Sequence, residues 1–205
     1  MEQRSEEWFK ARLGKVTASN LSNVMATTKT SESAYRKNYR HQLITERLTG
    51  KQVEIPINQA MQHGIDTEGE ARDFYVFKYA DVEEIGFVDH PTIHMSGASP
   101  DGLVGKDGLI EIKCRQPHNH TETLISHQIP DKYKLQMYWQ MACTGRKWCD
   151  YVSYCPSFPE NLKMVVIRLE RDEEQIKLLE ESVIKFLTEV EDTVNFIKES
   201  NNGVD

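Results

Sequence analysis

The sequence contains no run approaching the roughly 20 apolar residues that cross a bilayer. Its first residues, MEQRSEEWFKARLG, carry charges where a secretory signal needs an apolar core. Neither membrane insertion nor secretion is expected. Cysteine is scarce: Cys114, Cys143, Cys149 and Cys155 form no CxxC pair. A chain of 205 residues is long enough to be stable without disulfides, so reduced, mostly buried thiols are expected. A zinc site joining these cysteines to His118 and His120 would need spacings that common structural sites do not use, and is set aside. Net basic charge is also missing: 25 Lys/Arg stand against 32 Asp/Glu, giving −7. Spread evenly, that balance would disfavour binding to phosphates. It is not even, because residues 1–50 carry nine Lys/Arg against five Asp/Glu while residues 161–205 carry six against eleven. A basic face and an acidic back are expected.

What is present is ordinary globular material, 39% hydrophobic and 28% charged, enough for a buried core. No internal repeat or interdomain linker is visible, and residues 1–205 are read as one domain. Ser5 can cap a short helix to Leu13, ended by Gly14; after a tight loop at Lys15–Ala18, Ser19 can cap a second helix to Ala26. Thr27 to Ser33 is rich in Thr and Ser and is expected to be mobile. A helix from about Ala34 to Leu48 stops near Gly50 and carries Arg36, Lys37, Arg40 and Arg47. Asn58 can cap a long helix to about Tyr79, on which Met61, Ile65, Glu68 and Arg72 share a face. From Val82 to Cys114 short Val/Ile runs broken by Asp-His-Pro, Ser-Pro-Asp-Gly and Lys-Asp-Gly read as a β-meander. Asp131 can cap a helix to about Cys143, Trp148–Tyr154 and Met164–Glu170 alternate like strands, and Asp172 with Gln175 resembles a capping box for a C-terminal helix.

Chemistry concentrates in Leu109-Ile110-Glu111-Ile112-Lys113-Cys114. Strand alternation puts Leu109, Glu111 and Lys113 on one face and Ile110, Ile112 and Cys114 on the other. Asp101 sits in the turn Ser99-Pro100-Asp101-Gly102, and a hairpin closing through Gly105-Lys106-Asp107-Gly108 can bring it beside Glu111. Two carboxylates and the Ile112 carbonyl are hard oxygen ligands suited to Mg²⁺, with Mn²⁺ able to substitute. Lys113 could orient or activate a water held there and stabilise phosphorane charge. Taken alone, Asp…Glu-x-Lys occurs often by chance, and a surface hairpin with a Glu–Lys pair would explain it as well. The Pro-Asp turn, the apolar-flanked Glu-Ile-Lys strand and the acidic helix residue Glu68 together have the layout of the PD-(D/E)XK nuclease core. The expected fold is therefore mixed α/β, a restriction-endonuclease-like central mixed sheet flanked by helices, with a basic helical N-terminal part and an acidic C-terminal helix.

The segments Trp8 to Ser19, Gly97 to Leu103, Leu109 to Cys114 and Tyr133 to Met141 occur in this order between residue 8 and about residue 155. Together they resemble the successive motifs of the phage lambda exonuclease, or YqaJ-type viral recombinase, family. That resemblance implies a 5′-to-3′ exonuclease that digests one strand of linear double-stranded DNA from a 5′-phosphorylated end and leaves 3′ overhangs for single-strand annealing. It implies that Asp101, Glu111, the Ile112 carbonyl and Glu68 hold metal, and that Lys113 serves the nucleophile. Gln136 reaches the reaction centre in this pattern, with Gln140 one turn on as a further candidate. Arg12, Ser19 and Ser99 match the family's 5′-phosphate pocket, a role that a guanidinium fork, hydroxyl donors and a helix N-terminus suit chemically. Met61 matches an apolar wedge between strands, though a core methionine explains it equally well. A homotrimeric ring, a single-strand annealing partner and a phage- or prophage-encoded origin with action in the host cytoplasm are implied too. Arg115-Gln116 stands before Pro117, where the family often places Pro directly, and His118 and His120 follow; both are read as exposed loop residues. The same core also serves endonucleases and junction resolvases, and acids that only shape a turn would leave a catalytically silent DNA-end-binding module.

Overall fold

A computed structural model describes residues 1–54 and 56–201. The first helix, α1 (Glu6–Arg12), begins where expected: Ser5 accepts from the Trp8 N–H, and Gly14 turns the chain at φ +66°. The next segment differs from its sequence reading. Val16–Thr17 is not a tight loop but a strand, β1, because its amides find partners on a distant strand. Ser19 caps nothing; it lies inside a single 3-10 turn, Ala18–Asn20, that leads into α2 (Leu21–Val24). Thr27 to Ser33 forms a turn closed by a bridge between Thr27 and Glu32. Helix α3 (Ala34–Thr49) ends on Gly50 in the left-handed region, and α4 (Gln59–Lys78) starts on an Asn58 cap.

The strands between Val82 and Cys114 do not form one meander. β3 (Val88–Asp89) and β4 (Ser96–Ala98) join β1 in a three-stranded sheet of order β1-β4-β3. β2 (Val82–Glu83), β5 (Gly102–Val104) and β6 (Gly108–Cys114) instead join β7 (Trp148–Tyr154) and β8 (Met164–Glu170) in the order β2-β5-β6-β7-β8. Both sheets are mixed, since β1 runs parallel to β4 and β6 parallel to β7 while the other pairs are antiparallel. The sequence pattern marks this stretch as short strands but not which partner each takes, which is a non-local choice. Between β6 and β7 the chain forms α5 (Pro117–Ser126) and α6 (Asp131–Thr144). Helix α5 replaces the expected loop. His118 is exposed on it, but His120 is fully buried, bonded through its ring nitrogens to Ser153 and to the Leu162 carbonyl.

The five-stranded sheet is apolar on both faces. Leu109, Cys149 and Tyr151 pack into the large core formed with α2, α3, α6 and α7 (Glu173–Asn201), whereas Ile110, Ile112 and Val152 pack with Ala71 and Tyr75 of α4. The alternation along β6 is therefore as the sequence implies, and it aims Glu111 at the α6 side. Asp172 caps α7 by accepting from the N–H groups of Glu174 and Gln175. The expected basic face is largely spent inside the molecule. Arg36 and Arg40 bind Glu189, and Arg47 binds Glu191, so α3 and α7 neutralise each other across the contact in which Tyr39 stacks on Phe186. Among the described residues no helix is long and apolar enough to cross a membrane.

Candidate active site

The register of β5 and β6 places the two acids. Their last pair is Gly102 with Ile110, so Asp101 lies just beyond it, opposite the open edge of Glu111-Ile112. One Asp101 oxygen accepts from the Ile112 N–H at 2.6 Å. The N–H and C=O of a strand residue point to the same edge, so the Ile112 carbonyl faces the side where β5 has ended. Glu111 is fully buried, and a buried charge must be met by donors. Gln136 donates to one of its oxygens at 2.7 Å and Gln140 to the other at 2.5 Å, from successive turns of α6, and Lys113 pairs with it as well. Burial, then the charge of Glu111, pushes the Asp101 carboxyl well above the usual carboxylate range. Burial alone would lower Lys113, but Glu111 and Asp101 more than offset it and hold the ammonium above its ordinary value.

This donor set fits a hard divalent cation. Two carboxylates with Ile112 between them carry more negative charge than Lys113 alone offsets, and Mg²⁺ sites use one or two carboxylates together with water. The remaining acid is engaged elsewhere: Glu68 is bound on one oxygen by Arg4 and on the other by Arg72, each within 2.9 Å. Among the described residues no three Asp, Glu, His or Cys side chains converge as a ready ligand set, the cysteine–histidine combination included.

Lys113, Ile112 and Glu68 open onto a cleft of about 970 Å³ whose walls include Ser19, Met61 and Tyr133. Met61 is exposed there, which removes the core-methionine reading. Tyr133 stacks on Tyr151 and also has the Lys113 Nζ 5.1 Å from its ring centroid. The three residues expected from sequence to form a phosphate pocket divide. Arg12 donates to the Ser99 hydroxyl at 3.2 Å, while Ser19 contacts Thr17 and lines the cleft. Trp8, unremarked in the sequence, completes the Arg12 arrangement: its indole N–H reaches the same Ser99 hydroxyl, and the Arg12 guanidinium lies 4.0 Å from the ring centroid. Burial lowers Arg12 to about 10, and among the described residues it has no carboxylate partner. The i,i+4 spacing to Gln136 signals the role of Gln140; nothing local signals Arg4, 64 residues from Glu68.

Comparisons with known proteins agree with this fold. The model of the YqaJ-like viral recombinase domain matches residues 7–147. An alkaline exonuclease from Laribacter hongkongensis is 47% identical, covers 96% of this chain and 97% of its own, and superposes with a TM-score of 0.89; its complex with dAMP gives 0.90. A phage-related exonuclease from Haemophilus somnus shares the fold at 14% identity, with a TM-score of 0.69 over 91% of this chain and 96% of its own. Uncharacterized protein R354 of Acanthamoeba polyphaga mimivirus is 28% identical over 74% of this chain, which spans only 29% of that protein. With its family model covering most of the length and the nuclease-type acids in place, the chain belongs to the YqaJ-like viral recombinase domain family.

Proposed function

We propose that the protein is a divalent-metal-dependent exonuclease that digests one strand of linear duplex DNA from a 5′-phosphorylated end, 5′ to 3′, and leaves 3′ overhangs for single-strand annealing. The observation that carries this reading is the joining of Asp101 to Glu111 through the Ile112 main chain, with the Lys113 ammonium on the same carboxylate. The similarity to an exonuclease crystallised with dAMP, at 47% identity, supports a reaction that releases mononucleotides. Asp101, Glu111 and the Ile112 carbonyl would hold the cation, Mg²⁺ with Mn²⁺ as a substitute, and Glu68 would serve a second position. When bound, such a cation polarises the phosphoryl group and lowers the pKa of water.

The chain's own groups have separable tasks. In the metal-free chain Glu111 and Asp101 hold the Lys113 ammonium above its ordinary value against the effect of burial, and Lys113 would orient or activate the nucleophilic water and stabilise phosphorane charge. Gln136 and Gln140 fix the Glu111 rotamer from α6. Arg12 and Ser99, which share a hydrogen bond, and Ser19 on the cleft wall would hold the terminal 5′-phosphate, and Met61, also on that wall, would wedge the strands. The protein would act in the cytoplasm of a bacterial host beside an annealing partner. Incubation with 5′-phosphorylated linear duplex and with covalently closed circles, in Mg²⁺ or chelator, tests the reading. Metal-dependent loss of the linear form alone is expected, and Lys113→Ala should abolish it. Nicked circles would indicate an endonuclease, and intact DNA in every metal would leave only end binding.

A further inference from the structure

Beyond Lys113 the cleft wall carries two cations to which the reaction centre gives no task. Several other arginines are discharged: those of α3 by α7, Arg168 by Asp150, Arg4 and Arg72 by Glu68. Arg115 is not. It follows β6 directly, is half-buried, and donates through Nη1 to the Tyr133 hydroxyl at 3.0 Å. Among the described residues its buried Nε finds no acceptor. The Arg115 guanidinium lies 5.4 Å and the Lys132 ammonium 4.7 Å from the Tyr133 ring centroid, and all three residues line the cleft. Among the described residues neither cation has a carboxylate partner. Of the acids on the same wall, Asp131 is paired with Lys134 and Glu122 is in no ion pair.

An aromatic ring orders cations without neutralising them. Tyr133, itself stacked on Tyr151, thus holds two charges on the cleft wall without cancelling them. An arginine on a cleft wall whose partners are an aromatic ring and a hydroxyl, with no carboxylate, keeps its charge for an anion entering the cleft. A phosphodiester oxygen suits it, because the guanidinium fork matches phosphate and the ammonium acts as a point charge beside it. We propose that Arg115 and Lys132, held by Tyr133, bind backbone phosphates of the DNA strand next to the reaction centre. The proposal rests on the reading of the chain as a DNA nuclease.

Binding of 5′-phosphorylated linear duplex, measured by fluorescence anisotropy in EDTA across a KCl series, tests it. Each lost phosphate contact should flatten the slope of log K against log[salt] by about 0.9. Arg115→Gln and Lys132→Gln should each do so, Arg115→Lys should restore the slope, and Arg36→Gln, whose charge is met by Glu189, should leave it unchanged. A residue that only packs against Tyr133 would alter stability, not the slope. Lys132 is exposed, so its replacement does not endanger the fold. A wild-type slope in Lys132→Gln, in a protein that still degrades linear DNA with Mg²⁺, overturns the phosphate pair and leaves the nuclease reading standing. Failure of the unmutated protein to cleave with any divalent cation overturns that reading instead.

Discussion

Glu111 and Asp101 show how far a single residue can be strained in favour of a ligand. Asp101 is held near a second carboxylate, and its proton is retained in the folded chain at pH values where the unfolded chain releases it. Its contribution to stability is therefore fully present below the unfolded carboxyl pKa and is lost as pH rises through the folded one. Asp101→Asn keeps an acceptor for the Ile112 N–H and removes the repulsion. We expect the metal-free variant to melt a few degrees above the parent at pH 8 and to show no gain near pH 3, while hydrolysis is lost. Calorimetry in EDTA at the two pH values measures this; a lower Tm at pH 8 contradicts it. Arg12 makes the second residue-scale prediction. Removing a charge-assisted contact costs about 1.5–3 kcal/mol, so Arg12→Ala should lower kcat/KM on 5′-phosphate ends by about tenfold to a hundredfold. Ends bearing 5′-hydroxyl should be much less affected, and equal losses on both would remove the phosphate pocket.

At the scale of elements, Gly97 in β4 bears a close approach near the site. A Cβ there would overlap the Phe87 ring and lie 2.5 Å from the Val88 carbonyl oxygen, which the β3–β4 pairing cannot move cheaply. Gly97→Ala should cost about 1–3 kcal/mol, as overpacking does, and should disturb Ser99 two residues on; unchanged melting would contradict this packing. The elements also show what a sequence reveals about itself. The Ser5, Asn58 and Asp172 caps, the Gly50 stop and the strands β7 and β8 were legible because each signal lies within a few residues of its effect. The Glu111–Lys113 face was legible for the same reason, through alternation along one strand. Hidden from such signals were β1, whose partner is 80 residues away at Ser96, and α5, whose buried His120 depends on Ser153 and Leu162. Arg12, Ser99 and Gln136 came from resemblance to a family rather than from spacing.

Over the whole molecule, charge is misjudged by counting. The N-terminal excess of Lys and Arg suggested a basic face, yet α7 discharges the arginines of α3, and the cations proposed to meet phosphate are instead Arg12, Arg115 and Lys132, which have no carboxylate partner among the described residues. Assembly is the other property at this scale. Large aromatic side chains remain open to solvent at Phe77 and Phe196, 82% and 68% exposed, and such surfaces are candidates for contact between copies. We expect a homotrimer able to encircle DNA, with a light-scattering mass three times that of the chain; a monomer at working concentrations would remove the ring.

The fastening of Asp101 to the Ile112 amide has an evolutionary reading. The tie uses a main-chain hydrogen that every amino acid except proline possesses, so it is inherited with the strand and not with any side chain. Position 112 can drift among apolar residues that fill the same space, and the two acids stay in register. Proline is the one substitution there that would release Asp101 directly, whatever room it found.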